Sequence, residues 1–175
     1  MITIISGTNR KGGNSLKVSK FYQAILKEKG LNSQVLDLCA LPVDFVKNMY
    51  GNHTTEVTKI IKENIADVSK FIFVIPEYNG SYSGAVKLFM DGISPSFFNH
   101  KSAMLVGVAS GRAGNIVGLE QFTTVLNHLK VEVLSNKVLI SQVDTLLDES
   151  GMINNTVSIG VIEEQIDTFK RIHNL

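Results

Sequence analysis

The sequence predicts a doubly wound α/β sandwich, a parallel sheet with helices on both faces. Three observations carry that reading. Short apolar runs rich in β-branched residues alternate with segments of helical periodicity, as in sheets covered on both sides. The run Phe71-Ile72-Phe73-Val74-Ile75 is apolar at every position, as a central strand buried on both faces would be. Clusters of Gly, Ser and Asn follow the first, third and fourth runs, where such sheets bind ligands beyond the carboxyl ends of their strands.

Element by element, the first strand is Ile2-Thr3-Ile4-Ile5, ending at Ser6-Gly7. A Gly-rich turn leads to a helix beginning near Ser15, in which Leu16, Val18, Phe21, Ile25 and Leu26 recur at helical spacing and Gly30 stands where a C-cap belongs. Gln34-Val35-Leu36-Asp37 is the second strand. The stretch through Pro42, Tyr50 and Gly51 shows neither periodicity and reads as a loop with one helical turn at most. Thr55 can cap a helix with Val57, Ile60, Ile61 and Ile65 as its buried stripe, and the central strand that follows is expected to stop at Pro76. A helix over 85–93, a strand over 103–109, a helix over 118–129 and a strand over 131–134 continue the alternation, with 138–140 extending or pairing beside that last strand. In the closing helix, 156–172, Ile159, Ile162, Ile166 and Phe169 share one face. Without a repeat or an interdomain linker, residues 1–175 read as one domain.

Composition narrows the function. At 44% hydrophobic and 19% charged, with 3 prolines in 175 residues, the chain has the make-up of a globule. Lys and Arg number 17 against 16 for Asp and Glu, so no global field favours nucleic acid or an anionic membrane, and a bound phosphate must be held locally. The single cysteine, Cys39, excludes an internal disulfide framework and a cysteine-based zinc site, and it suits the cytoplasm. The N-terminus enters a strand at once, without a signal-peptide pattern, and no apolar run is long enough to span a bilayer. His53, His100, His128 and His173 lack the i, i+4 spacing of a helical metal pair, so no metal is expected. A Gly-x-Ser-x-Gly nucleophile elbow is absent too.

Three loops remain. Ser6 to Ser15 lies between a strand and a helix, where backbone N–H groups and the positive end of the helix dipole form a phosphate cradle. Thr8, Arg10, Asn14 and Ser15 add donors, and Gly12 and Gly13 let the backbone approach an anion; the plainer alternative is a polar turn with Asn14 or Ser15 as N-cap. The loop has neither the Walker A sequence nor Gly-x-Gly-x-x-Gly spacing. Pro76-Glu77-Tyr78-Asn79-Gly80-Ser81 offers an aromatic wall and backbone donors for a planar ligand, or else merely initiates a helix capped by Ser83. Ser110, Gly111 and Gly114 put small residues in the third loop, where a backbone can come close to a ligand.

Together these loops resemble the NADPH-dependent FMN reductase family of flavodoxin-like proteins, which includes chromate, quinone and azo-dye reductases. Gly7, Thr8, Arg10 and Ser15 match its first loop with one additional residue, and Pro76 through Asn79, Ser81, Gly84, Lys87 and Asp91 match its second. Ser83 stands where the family usually has Pro, Val86 where it has Leu and Leu88 where it has Asn. The 111–122 stretch and the Asp37-Leu38 and Leu41-Pro42 pairs are also similar to family segments.

The resemblance implies a flavodoxin-like three-layer sandwich with a five-stranded sheet in the order 2-1-3-4-5. It implies bound FMN, with the phosphate on Thr8, Arg10, Asn14 and Ser15, the ring edge against Pro76, Glu77, Tyr78, Asn79, Gly80 and Ser81, and the other side near Ser110, Gly111 and Gly114. Reducing equivalents would pass from NADPH or NADH to a small acceptor, with no side chain acting as acid or base. The family commonly forms dimers, so a homodimer or homotetramer is expected; of Phe89, Met90, Phe97 and Phe98 some belong to the chain's own core by their spacing and only the surplus forms the contact, with Tyr50 or a neighbour from the Asn48 to His53 loop near the partner's flavin. A flavodoxin-type electron carrier is the alternative, disfavoured by the near-neutral charge. A scaffold that has lost its flavin is the third reading.

Overall fold

In the computed structural model, which describes residues 1–45, 47 and 52–175, the central sheet runs β2-β1-β3-β5-β6. These strands are β1 (Ile2–Ser6), β2 (Ser33–Asp37), β3 (Lys70–Tyr78), β5 (Ser102–Val108) and β6 (Glu132–Val133), and every pair on that path is parallel. The doubly wound order is therefore the expected one, but the sheet has seven strands and not five. Two short strands account for the difference: β4 (Ser81–Tyr82), antiparallel to the end of β3, and β7 (Val138–Ile140), parallel to β5.

The fifth position is thus filled by two pieces in line. β6 faces Ser102 and Ala103, while β7 faces Val106 to Val108. At the break, the buried Gln165 of α6 (Thr156–Ile172) donates from Nε2 to Leu105 O at 3.0 Å and to Asn136 O at 2.8 Å. Tyr22 Oη fixes that amide by donating to Gln165 Oε1 at 2.9 Å. Burial of the Tyr22 ring pushes its phenol pKa up, so the hydroxyl keeps its proton.

Contrary to expectation, β3 does not stop at Pro76, which pairs with Val108 inside the strand. Gly7 N donates to Val74 O, so the backbone polar groups of Val74 face β1, and by the two-residue period those of Pro76 face the same way. β1 has ended at Ser6, so the missing N–H costs no ladder bond. Asn79 and Gly80, both at positive φ, then make a tight hairpin turn into β4.

Side chains along β3 alternate between two cores. Phe71, Phe73 and Ile75 pack under α2 (Thr55–Ile61), α3 (Gly84–Gly92) and α4 (Ile116–His128); Ile72 and Val74 pack under α1 (Asn14–Glu28) and α6. Burying an aromatic such as Phe73, in edge contact with Phe122, is worth about 1.5 to 3 kcal/mol. Capping departs from expectation in two places. Thr54, not Thr55, caps α2, and α1 is preceded by Gly13 with no side-chain cap at all. Ser83 caps α3 as expected, accepting from Val86 N. Among the described residues of the 38–53 stretch there are two short 3-10 turns, Leu38–Ala40 and Val43–Phe45, and a four-residue helix α5 (Val143–Leu146) was not expected. Among the described residues no helix is long and apolar enough to cross a membrane.

Candidate functional site

The carboxyl ends of β1, β3 and β5 open into a cleft of about 330 Å³. It is lined by Thr8, Arg10, Asn14 and Ser15 of the first loop, Pro76, Glu77 and Tyr78 at the end of β3, and Ser110 after β5. The sequence brought all eight to light, and parallel topology puts them together because each follows a neighbouring strand.

The first loop is shaped as an anion seat. Gly13 N donates to Arg10 O at 3.2 Å, and Arg10 N donates to Thr8 Oγ1 at 3.1 Å. Gly12 sits at φ +66, and a Cβ on Gly13 would lie 3.0 Å from Thr8 Cγ2, so the turn is tight against its own base. With no side chain capping α1, the Ser15 hydroxyl is left buried and unpartnered at the positive end of a 15-residue helix. Ser6 Oγ is buried and unpartnered in the same way. Leaving such a group unsatisfied costs about 1 to 3 kcal/mol, which an oxygen-rich anion bound there would relieve.

Side chains lock the loops to one another. Thr8 Oγ1 and Tyr78 Oη are 2.7 Å apart, joining the first loop to the second. Asn14 Nδ2 donates to Asp144 Oδ1 at 2.7 Å and Ser110 Oγ donates to Asp144 Oδ2 at 2.6 Å, so a carboxylate of α5 joins the first loop to the third. Those hydrogen bonds, Ser110 foremost, hold the Asp144 carboxyl below the usual carboxylate range, with Lys17 and Arg10 adding to the effect.

Five expected residues lie outside the cleft. Asn79 and Gly80 form the β3–β4 turn, and Ser81 Oγ donates to Gln121 Oε1 at 2.5 Å, tying that hairpin to α4. Gly111 O accepts from Gln142 N at 2.9 Å. Gly114 presses on β7, where a Cβ would come within 2.7 Å of Leu139 Cβ. Lys11, Val108, Ala109, Val143 and Asp144 also line the cleft without having been expected as ligand residues; the signal for Asp144 was position, a carboxylate just past the carboxyl end of β7.

A larger groove of about 930 Å³ lies elsewhere, bordered by Met90 and Phe97 on the α3 side and by Val125 and Leu129 of α4 and its end, with His53 and His128 at its walls. It has greater volume, but among the described residues that line it there are no strand ends, no glycine turn and no buried unpartnered hydroxyl, so they lack the chemistry of the smaller cleft. Of the aromatics expected at a subunit contact, Phe89 and Phe98 are in the chain's own core with Met90, and only Phe97 is exposed, at 38%.

Comparison with known proteins agrees with this picture. The family described as NADPH-dependent FMN reductase matches residues 1–145. The chain is 25% identical over 171 residues to an NAD(P)H-dependent FMN reductase of Pseudomonas aeruginosa, covering 95% of this chain and 91% of that protein. An NADPH azoreductase of a Bacillus species is 25% identical over 139 residues, 79% of this chain and 75% of its own. Among solved structures, the flavoenzyme NAD(P)H:(acceptor) oxidoreductase FerB of Paracoccus denitrificans superposes with a TM-score of 0.78 at 20% identity, covering 96% of this chain and 93% of that one. A flavodoxin of Pseudomonas aeruginosa superposes at 0.59 with 15% identity, over 96% and 95% of the two chains.

Proposed function

The chain belongs to the NADPH-dependent FMN reductase family and is an FMN-dependent NAD(P)H oxidoreductase, and from that premise we propose how its own residues hold the cofactor. The observation that carries the proposal is the buried, unpartnered Ser15 hydroxyl at the start of α1, inside the cleft. The phosphate takes the α1 seat: Ser15 and Thr8 offer hydroxyls, Arg10 a guanidinium, and Asn14 its backbone N–H, its side chain being engaged by Asp144. The ring edge takes Pro76, Glu77 and Tyr78 of the cleft wall, where Tyr78 is fixed by Thr8, and the other side of the cofactor lies toward Ser110, the expected residue of the third loop that lines the cleft. When bound, FMN supplies the redox chemistry, taking up reducing equivalents from the nicotinamide and releasing them to the acceptor. The protein's part is to position and to stabilise charge with backbone donors, so no side chain acts as acid or base. The whole chain, 1–175, serves as one FMN-binding domain in the cytoplasm, and its acceptor is a small oxidant such as a quinone, free flavin, azo compound or metal oxyanion.

Arg10→Ala and Ser15→Ala are each expected to weaken FMN binding by about 1 to 3 kcal/mol, the range for hydrogen bonds to charged groups, without unfolding the chain. A fluorescence titration in which both variants bind like the wild type would remove the phosphate assignment. Turnover distinguishes a reductase from an electron carrier. With one open flavin face serving two substrates in turn, initial-rate plots at several quinone concentrations are expected to be parallel; intersecting lines would mean a ternary complex.

The assembly is a homodimer, or a homotetramer built from two such dimers, joined through the groove beside α3 and α4. The exposed Phe97 and Leu88, the groove's apolar floor and its two histidines support that face. A stable pair must bury on the order of 1,200 Å². Tyr50 lies outside the described residues; His53, from the same segment, lines the groove. Light scattering at micromolar concentration is expected to give at least twice the 19.2 kDa chain mass, and a monomer would overturn the dimer.

A further inference from the structure

We propose that the Tyr78 hydroxyl is a positioning group for phosphate: by donating to Thr8 it turns the Thr8 hydroxyl hydrogen toward the bound anion. The proposal rests on the FMN reading above, in which Tyr78 meets the ring edge, and adds a second role for the same side chain. Thr8 lines the cleft and is 1% exposed, so the partners of its hydroxyl are few and fixed. A threonine hydroxyl has one hydrogen to donate and two lone pairs with which to accept. Arg10 N donates to Thr8 Oγ1 at 3.1 Å, which fills one lone pair, and Tyr78 Oη stands 2.7 Å away at a second position. Among the described residues no other group bonds this oxygen, so its third position is left for a ligand.

The contact between Thr8 and Tyr78 has two settings. With Thr8 donating to Tyr78, the third position is a lone pair, which repels an anion. With Tyr78 donating to Thr8, both lone pairs are filled and the Thr8 hydrogen occupies the third position. Phosphate oxygens at neutral pH are charged acceptors and match only the second setting. The chain from Tyr78 through Thr8 to phosphate also polarises itself in a buried site, each bond strengthening the next. Both hydroxyls are held from their backbones. Thr8 N donates to Ser6 O and Gly7 N to Val74 O, each at 2.9 Å, which ties the start of the first loop to β1 and β3. Tyr78 pairs with Ser81 in the β3–β4 hairpin, and Ser81 is tied to Gln121 of α4. The second loop, which meets the ring, is thereby joined to the oxygen that meets the phosphate.

Tyr78→Phe keeps the aromatic ring and removes the hydroxyl, while Thr8→Val keeps the side-chain shape and removes the group that Tyr78 orients. Fluorescence titration with FMN and with riboflavin, which lacks the phosphate, separates the two ends of the ligand. Tyr78→Phe is expected to weaken FMN by about three- to tenfold and to leave riboflavin within about twofold of wild type. Thr8→Val should weaken FMN at least as much, and adding Tyr78→Phe to it should cost nothing further. Inorganic phosphate gives a readout without flavin: the rise it causes in the melting temperature of the flavin-free protein should shrink in both single variants. Equal weakening of FMN and riboflavin by Tyr78→Phe, or a full further loss in the double variant, would make the hydroxyl a ring contact or a general strut and overturn the proposal, as would unchanged FMN affinity. Wild-type protein that bound no FMN would instead overturn the cofactor reading itself.

Discussion

Gly107→Ala is expected to cost about 3 to 5 kcal/mol of stability, at the upper end of what added volume in a core does. The new Cβ would lie 2.0 Å from Gly114 O and 3.2 Å from Asn115 Cβ, far inside contact distance. Neither side can retreat. Gly107, next to the end of β5, is paired on both sides, with Ile75 and with Leu139, while Gly114 is so close to the next strand that a Cβ there would meet Leu139 Cβ at 2.7 Å and Ser141 Oγ at 2.9 Å. The third loop folds back over its own strand only because position 107 has no side chain. That folding also carries Asn115, buried at φ +67, to donate from Nδ2 to Ile75 O at 3.0 Å. Thermal unfolding should fall by on the order of 10 °C for a chain of this size. Gly84→Ala, where nothing lies within 4 Å of the added Cβ, is the control and should stay within about 0.5 kcal/mol of wild type. Equal unfolding midpoints for the two variants would show that the loop gives way freely.

Elements that bury a regular pattern were legible. The helix over 156–172 came out as Thr156–Ile172 because its stripe and its cap are both local signals: Ile162, Ile166 and Phe169 are buried, and Asn155 Oδ1 accepts from Ser158 N. What periodicity could not show is how a strand ends or divides. Pro76 reads as a stop in isolation, and continues the strand only because β1 has already finished beside it. The break between β6 and β7 depends on Gln165, distant in sequence, replacing ladder hydrogen bonds. Asn79-Gly80 is a local signal that the sequence reading passed over: the pair is a strong hairpin turn, and treating it as ligand contact left β4 unforeseen.

The site divides in the same manner. Residues of the loop after β1 and at the carboxyl end of β3 line the cleft because strand order alone brings them together. The glycines of the third loop, by contrast, look in sequence like places for a ligand to approach, while in the fold Gly114 is approached by the protein itself, by Leu139 and Ser141. Asp144 escaped notice because its element is four residues long and has no period to detect. The aromatics after the Tyr78 loop could not be divided by sequence between core and surface: the fold puts Phe89 and Phe98 in the sheet core and leaves Phe97 exposed.

Ser83→Ala is expected to lose about 2 to 4 kcal/mol, more than a surface cap would. The Ser83 hydroxyl is 1% exposed and does two things. It accepts from Val86 N at 3.3 Å, the capping bond of α3, whose removal costs about 1 kcal/mol. It also donates to Gly7 O at 2.5 Å, and without it that carbonyl is deprived of a partner at a further cost of about 1 to 3 kcal/mol. The second bond spans the sequence from the first loop to the second, so the same substitution should loosen the α1 seat and weaken FMN binding. The Ser83 backbone, at φ −66 and ψ 144, is one that Pro adopts without strain. The loop therefore keeps a proline-like path and gains two hydrogen bonds from the hydroxyl. Ser83→Pro forfeits both bonds but narrows the unfolded ensemble, so it should retain about 0.4 to 1 kcal/mol more stability than Ser83→Ala. Urea unfolding of the two variants beside wild type measures the difference; an alanine variant within 0.5 kcal/mol of wild type would mean, at the level of a typical surface substitution, that the Gly7 bond carries no net stability.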